Sequence, residues 1–250
     1  MKLQDKIAIV TGGGRDIGRA VSLRLAREGA KVVVNFANDE AAATATKADI
    51  EAAGGTAIIH RADVTKPAEV AGLIEASRAA FGDRIDVLVN CAGGMVARKT
   101  LDEMDEAFFD QVMTLNLKSA FLVTKAAKPY LGEGSAIINI ASLAGRDGGG
   151  PGASVYATAK GALMTLTRGW AKEMGPQGIR VNAVCPGLIG TSFHDIFSKP
   201  EGRKAVAGNT PLRREGAPEE VAAAVAYLAS EDASFLAGVN LDINGGLFFS

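Results

Sequence analysis

The chain has 250 residues, a formal net charge of -1 and an apolar content of 48%. That length suffices for one buried core over 1–250, and so small a net charge provides no field to draw nucleic acid or an anionic membrane. No apolar run approaches the ~20 residues that cross a bilayer, and the charged start Met1–Lys6 is unlike a secretory leader, so a cytoplasmic protein is expected.

In chain order, Lys6-Ile-Ala-Ile-Val10 opens a short, continuously apolar strand predicted at 6–12. It runs into Thr11-Gly-Gly-Gly-Arg-Asp-Ile-Gly18 and then a helix predicted at 17–29, with apolar residues at helical spacing. Strand, glycine turn and helix in that order present backbone N–H groups and a positive dipole end to a diphosphate. Gly12, Gly14, Arg15, Asp16 and Ile17 are the candidate contacts. Glycine is 30 of 250 residues, above the usual ~7%, as fits a backbone that approaches a ligand closely in several loops. Asp16 either repels the diphosphate or caps the helix by accepting from its first amides, and the cap is the favoured reading, with Arg15 offsetting the charge.

The second strand is predicted at 31–36 and ends Val34-Asn35-Phe36-Ala37-Asn38, with no acid at its tip. An NAD site places a carboxylate there for the ribose hydroxyl, whereas an NADP site needs a cation instead. With Asn35 at the tip and Arg15 in the facing loop, NADP(H) is the expected coenzyme and NAD(H) the alternative. A helix at 39–53, a strand at 56–63, a helix at 67–81 and a strand at 85–91 follow.

One long helix is predicted at 102–130, with Asn116 amid Phe108, Phe109, Val112, Leu115 and Leu122. Such an asparagine either bonds to the backbone or serves the chemistry. A strand at 136–142 ends at Ser142, and the helix at 154–175 carries Tyr156 and Lys160. Residues i and i+4 share a helix face, so the phenol and the ammonium lie side by side. A carbonyl becoming an alcohol needs a proton on oxygen. A free tyrosine with a pKa near ~10 serves that poorly at neutral pH, and an adjacent cation is expected to stabilise its anion. Ser142 can donate to the same oxygen. A strand at 180–186, a helix at 217–229 and a strand at 239–243 complete the pattern. Apolar strands alternating with helices predict an α/β fold, a doubly wound parallel sheet of about seven strands with helices on both faces. Ligands of such sheets bind at the strands' carboxyl ends.

Taken together, Thr11-Gly12 with Gly18, Asp63-Val64, Asn90-Cys-Ala92-Gly93, Asn116, Ser142, Tyr156, Lys160 and Pro186-Gly187 with Thr191 resemble the short-chain dehydrogenase/reductase family from end to end. The resemblance implies a Rossmann-like fold, a nicotinamide cofactor, hydride transfer at a carbonyl or alcohol carbon, and a proton relay through Tyr156, Lys160 and Asn116. It further implies that Asp63 and Val64 flank the adenine. Asn90, Ala92 and Gly93 would line the cofactor's middle, with Pro186, Gly187, Ile189 and Thr191 as further contacts. Asp16 stands where the family has glycine, and Cys91 where it has asparagine.

The loop 143–152 and the segment 188–209 follow strand ends and are expected to wall the substrate pocket. Met95, Arg98, Ala144, Arg146, Phe193 and His194 are the candidates, the arginines for an anionic or polyhydroxylated compound. The polar loop leans toward a small sugar, polyol or keto compound. A 3-oxoacyl-thioester reductase is the alternative, and a nucleotide-binding regulator or scaffold is the non-enzyme reading. Cys91 and Cys185 are expected to be reduced structural thiols, and His60 and His194 form no metal-type constellation. A homotetramer is expected from the small residues Ala157, Ala159, Gly161 and Ala162 on the catalytic helix, from the apolar C-terminal segment, and from the family.

Overall fold

A computed structural model describes residues 1–250. The chain order is β1 (Ile7–Val10), α1 (Asp16–Arg27), β2 (Lys31–Phe36), α2 (Glu40–Ala52), β3 (Thr56–Arg61), α3 (Pro67–Phe81) and β4 (Val87–Asn90). Then come α4 (Glu106–Met113), α5 (Ser119–Ala127), β5 (Ala136–Ile140), α6 (Ala144–Asp147), α7 (Ser154–Met174) and β6 (Arg180–Pro186). The chain closes with α8 (Ser192–Phe197), α9 (Pro200–Asn209), α10 (Pro218–Ala229) and β7 (Asn240–Ile243).

All seven strands are parallel, in the order β3-β2-β1-β4-β5-β6-β7. The winding direction reverses between β1 and β4, and a crevice opens there at the strands' carboxyl ends. Alternate residues of each strand feed opposite cores. Ala8, Val10, Val32, Val34, Val87 and Val89 pack with Val21 and Leu25 of α1 and Val221 and Val225 of α10. Ile9, Val33, Leu88 and Ile137 pack with Leu73 of α3, Val123 of α5 and Trp170 of α7. Both faces are covered, so the strands read as unbroken apolar runs.

Three differences from the sequence reading have physical causes. The helix expected at 102–130 is broken into α4, a π-helical turn at Thr114–Lys118 and α5. Asn116 sits in that turn and donates from its amide to the carbonyls of Val112 (2.9 Å) and Gly94 (2.8 Å), and a side chain that competes for backbone acceptors in this way breaks the regular ladder. The segment after β6, expected to wall the pocket and given no helix of its own, folds into α8 and α9, the latter started by Pro200. Ala157 and Ala159 of α7 are buried inside their own subunit, and a Cβ at Gly145 would lie 2.7 Å from the Gly161 nitrogen. Much of the small-residue stripe therefore lets α6 cross α7, rather than waiting for a second copy. No helix is long and apolar enough to cross a membrane.

Candidate active site

The loop after β1 is held by bonds from every side. Thr11 Oγ1 accepts from the amides of Cys91 (2.9 Å) and Ala92 (3.0 Å), which welds this loop to the one after β4. Ser22 Oγ lies 3.0 Å from the Gly13 carbonyl, and Thr46 Oγ1 donates to that of Gly14 at 2.9 Å. The first backbone bond of α1 runs from the Arg19 N–H to the Arg15 carbonyl, and no side chain caps the helix. The amides of Gly14 through Gly18 thus find no acceptor in the chain, five donors at the positive end of a helix. Nothing but glycine fits at Gly18, where a Cβ would lie 2.0 Å from the Gly12 carbonyl oxygen. A cradle of open amides in a backbone this tight suits the diphosphate of a dinucleotide.

Asp16 is not the cap expected of it. Its backbone takes the left-handed φ of 49°, and its carboxylate accepts from the Ser192 N–H (2.9 Å) and the Ser192 hydroxyl (2.5 Å). The side chain therefore leaves its own helix and ties down α8.

Asn35 departs from expectation too. It is 2% exposed. Its Oδ1 accepts from the Gly12 N–H at 3.1 Å, and its amide donates to the carbonyls of Ala62 (3.0 Å), Phe36 and His60 (both 3.3 Å). It positions the glycine loop from within and offers nothing outward. Beside the tip of β2 stands Arg61, which sequence reasoning missed: its Nε donates to the Ala37 carbonyl at 3.2 Å, and its terminal nitrogens have no partner. The signal was a cation at the end of β3 in register with Phe36. Arg15 is 67% exposed, with Asp16 4.0 Å away, and Asp39 is taken up in capping α2 through the Ala42 N–H.

Asp63 accepts from the amide and hydroxyl of Thr65 at 3.0 and 2.6 Å, which holds its carboxyl below the usual range, and Val64 is buried beside it. Asn90 points into the sheet, where it donates to Thr124 Oγ1 and Asn139 Oδ1. Only the backbone at Asn90 is left to line the crevice. Gly187 packs so closely that a Cβ would lie 2.9 Å from Asn244 Cβ, and Thr191 Oγ1 donates to the Ile189 carbonyl at 3.2 Å. Pro186, at the end of β6, accepts through its carbonyl from the Leu143 N–H.

The proton-handling candidates meet around Gly93. A Cβ there would lie 2.7 Å from Asn116 Oδ1 and 3.1 Å from Lys160 Nζ, with Ala92 just before it. Lys160 is 4% exposed and donates to the Ile140 carbonyl at 2.8 Å, and its Nζ lies 5.7 Å from the Tyr156 ring centre. Ser142 approaches the Tyr156 phenol and draws its pKa down, but burial dominates and pushes it up to about 12. Burial likewise brings Lys160 down to about 8. In the protein alone Ser142, and not the neighbouring cation, is the group that draws the phenol down, and desolvation outweighs it. Burial raises Cys91 to about 11 and Cys185 to about 12, so both are inert thiols.

On the substrate side, Phe193 packs against Tyr156 with ring centres 5.8 Å apart, and His194 Nδ1 lies 2.9 Å from Ser198 Oγ. Burial, with Arg203 nearby, lowers the His194 pKa. Met95 is buried, and Val96 holds a φ of 65° in a turn closed by the Ala97 N–H on the Met95 carbonyl. That is a strained position for a β-branched residue. Ala144 begins α6, its amide bonded to Ser142 Oγ at 3.1 Å. The two arginines do not serve as expected. Arg98 donates to the carbonyls of Phe197 (2.7 Å) and Pro151 (2.8 Å), and Arg146 pairs with Asp242 (3.3 Å) and the Asn240 carbonyl (2.8 Å). Both tether one wall to another; Asp242 neutralises Arg146, whereas Arg98 bonds only to carbonyls and keeps its charge.

This arrangement is shared with known proteins. Residues 12–248 match a family model described as enoyl-(acyl carrier protein) reductase. An uncharacterised oxidoreductase of Methylorubrum extorquens is 40% identical over 249 residues, 98% of this chain and 99% of its own length. A dog (Canis lupus familiaris) protein named (3R)-3-hydroxyacyl-CoA dehydrogenase is 39% identical over 258 residues, 99% of this chain and 98% of its own. Among solved structures, a short-chain dehydrogenase of Burkholderia cenocepacia in complex with NADP superposes with a TM-score of 0.93 at 34% identity, covering 99% of both chains. An NADH-dependent reductase responsible for alginate metabolism gives 0.90 at 38%, again covering 99% of both. With a parallel seven-stranded sheet, an open amide cradle and this degree of likeness along its whole length, the chain belongs to the short-chain dehydrogenase/reductase family and is an NAD(P)-dependent oxidoreductase of that family.

Proposed function

We propose that the protein interconverts a carbonyl and a secondary alcohol on a small polar compound such as a sugar, polyol or keto compound, with Tyr156 as general acid and base and NADP(H) as the favoured coenzyme. The observation that carries this reading is that Asn116 and Lys160 meet at Gly93, with Lys160 Nζ 5.7 Å from the Tyr156 ring centre and Ser142 bonded to the Tyr156 phenol. A bound nicotinamide supplies or accepts the hydride. In the reducing direction, Tyr156 gives its proton to the carbonyl oxygen, and a phenol kept protonated by burial is in the right state to do so. Ser142 donates to the same oxygen and fixes its place. As the phenol loses its proton, Lys160, fixed by the Ile140 carbonyl, stabilises the anion left behind. Asn116 keeps the wall beside Lys160 in shape through its bonds to Gly94. Arg146 is paired with Asp242, so its charge is spent within the protein, and a polar substrate need not be an acid to fit this wall.

Tyr156→Phe is expected to cut kcat by about 10²- to 10⁴-fold with NADPH affinity retained; undiminished turnover of the best ketone or sugar would end this reading. The relative named for 3-hydroxyacyl-CoA favours thioester reduction as a second reading, so 3-oxoacyl thioesters belong in the same substrate panel. NADPH binding without turnover of any compound would favour a regulator.

For the coenzyme, the tip of β2 carries no free carboxylate, while Arg61 beside it keeps its terminal nitrogens unpaired and Arg15 of the glycine loop is 67% exposed with only a 4.0 Å approach to Asp16. Arg15→Ala together with Arg61→Ala is expected to raise the NADPH KM about tenfold or more and leave that for NADH within about twofold. Equal effects on both coenzymes would refute the assignment. A homotetramer is the proposed assembly, supported by Phe109 and Phe121, each 41% exposed on α4 and α5, and by Phe249 at 83%. Light scattering that finds a 25.7 kDa species would exclude it.

A further inference from the structure

Asp16 is unusual in conformation, reach and charge. It holds a φ of 49°, where a residue with a side chain is uncommon. Its carboxylate spans 176 positions of sequence to reach Ser192. It also adds a negative charge to the loop that carries the five open amides of residues 14–18, offset only by Arg15 Nε at 4.0 Å. Ser192 is the first residue of α8, and Thr191 before it gives that helix no side-chain cap. Asp16 therefore closes the start of α8 from across the molecule, and α8 carries Phe193 against Tyr156. The other ties on α8 run to the substrate side: Arg98 to the Phe197 carbonyl, and Arg203 joining Asp195 to Glu215. Asp16 alone runs to the cofactor loop.

We infer that Asp16 is a positioning residue that straps the cofactor loop to the substrate lid. It sets α8, and with it Phe193, over Tyr156 before any cofactor arrives, and it weakens diphosphate binding by placing like charge beside the cradle. The lid half of this inference stands on contacts alone, whereas its kinetic half rests on the carbonyl chemistry proposed above.

One substitution should then move two quantities in opposite senses. Asp16→Gly removes the strap and suits the positive φ, so the fold is kept. It is expected to tighten NADPH binding about three- to tenfold and to speed amide hydrogen exchange over 191–197 about tenfold in the ligand-free protein, with β5 unchanged. Substrate KM at saturating NADPH is expected to rise about fivefold with a smaller change in kcat. Asp16→Asn tolerates the same φ and keeps one acceptor for the Ser192 N–H, so it should restore most of the lid's protection while still binding NADPH more tightly. Unchanged exchange over 191–197 in Asp16→Gly would overturn the strap, whatever the substrate is. Faster exchange with unaltered NADPH affinity would overturn the coupling to the cofactor. Faster exchange and tighter NADPH binding in a protein that turns over no carbonyl compound would uphold the strap and defeat the proposed reaction instead.

Discussion

Around the loop after β1, one added Cβ at Gly18 would lie 2.0 Å from a backbone oxygen, whereas the wall around α8 is held by side chains that reach across the fold. Asp16 bonds Ser192, Arg98 bonds Phe197 and Pro151, and Arg203 joins Asp195 to Glu215. In the cofactor half backbone crowds backbone, braced from within by Thr11, Ser22 and Asn35; the substrate half is held by polar ties that reach across the fold. A surface that must fit the same diphosphate always can be built the first way, and one that must fit varied substrates is better built the second way. The sharpest break in this contrast is Gly18→Ala. Its methyl group would meet backbone rather than a flexible chain end, so a destabilisation of about 3 kcal/mol or more and loss of NADPH binding are expected in urea unfolding and fluorescence titration. A folded variant that binds NADPH normally would show that the loop can yield after all.

The same contrast explains what could be read from the amino-acid sequence. Gly12, Gly18 and Gly93 mark places where backbone is crowded, and crowding leaves a residue-type signature that needs no knowledge of the distant chain. The i, i+4 spacing of Tyr156 and Lys160 is equally local, and α7 places both as expected. Asp16, Arg98 and Arg146 were misread because their partners, Ser192, Phe197 and Asp242, lie 176, 99 and 96 positions away. A charged residue in a loop looks unattached until the distant partner that holds it is placed. Asn35 failed for a related reason: its neighbours on β3 and in the glycine loop are set by strand register, and β2 extends one residue beyond it to Phe36.

Between the two halves stands Lys160, whose titration tests how dry their junction is. Its pKa falls from 10.5 to about 8 through burial, so below pH 8 the folded protein carries the full cost of a desolvated ammonium. Between pH 8 and 10.5 the unfolded chain holds a proton that the folded one has released, so stability rises with pH across that window. Against Lys160→Met, which lacks this titration, the wild type should gain on the order of 2 kcal/mol between pH 7.5 and pH 10. The upward-shifted Cys91, Cys185 and Tyr156 act in the opposite sense above about pH 9; burial, the main cause of each shift, is common to both proteins, while Lys160 adds only a smaller lowering of the two thiols. Urea midpoints whose difference stays constant with pH would mean that water reaches the ammonium.

The smallest expected effect bears most directly on the substrate half. Arg146 and Asp242 are 17% and 16% exposed, and Arg146 also holds the Asn240 carbonyl, so the pair anchors α6 to β7. Removing the guanidinium leaves Asp242 partly buried without its counter-charge, so Arg146→Met should lose about 1–2 kcal/mol of stability, less than a fully buried pair would because water still screens this one. A tether that slackens moves the pocket wall for every substrate alike. KM should therefore rise by a similar small factor for neutral and acidic carbonyl compounds, and their ratio of kcat/KM should stay within about twofold. A guanidinium that read substrate charge would behave differently, since its loss would penalise acids by tenfold or more and leave neutral compounds alone. The ratio, rather than either rate, separates a structural arginine from a recognising one, and a constant ratio would place substrate choice with Phe193, His194 and Met95 instead of with charge.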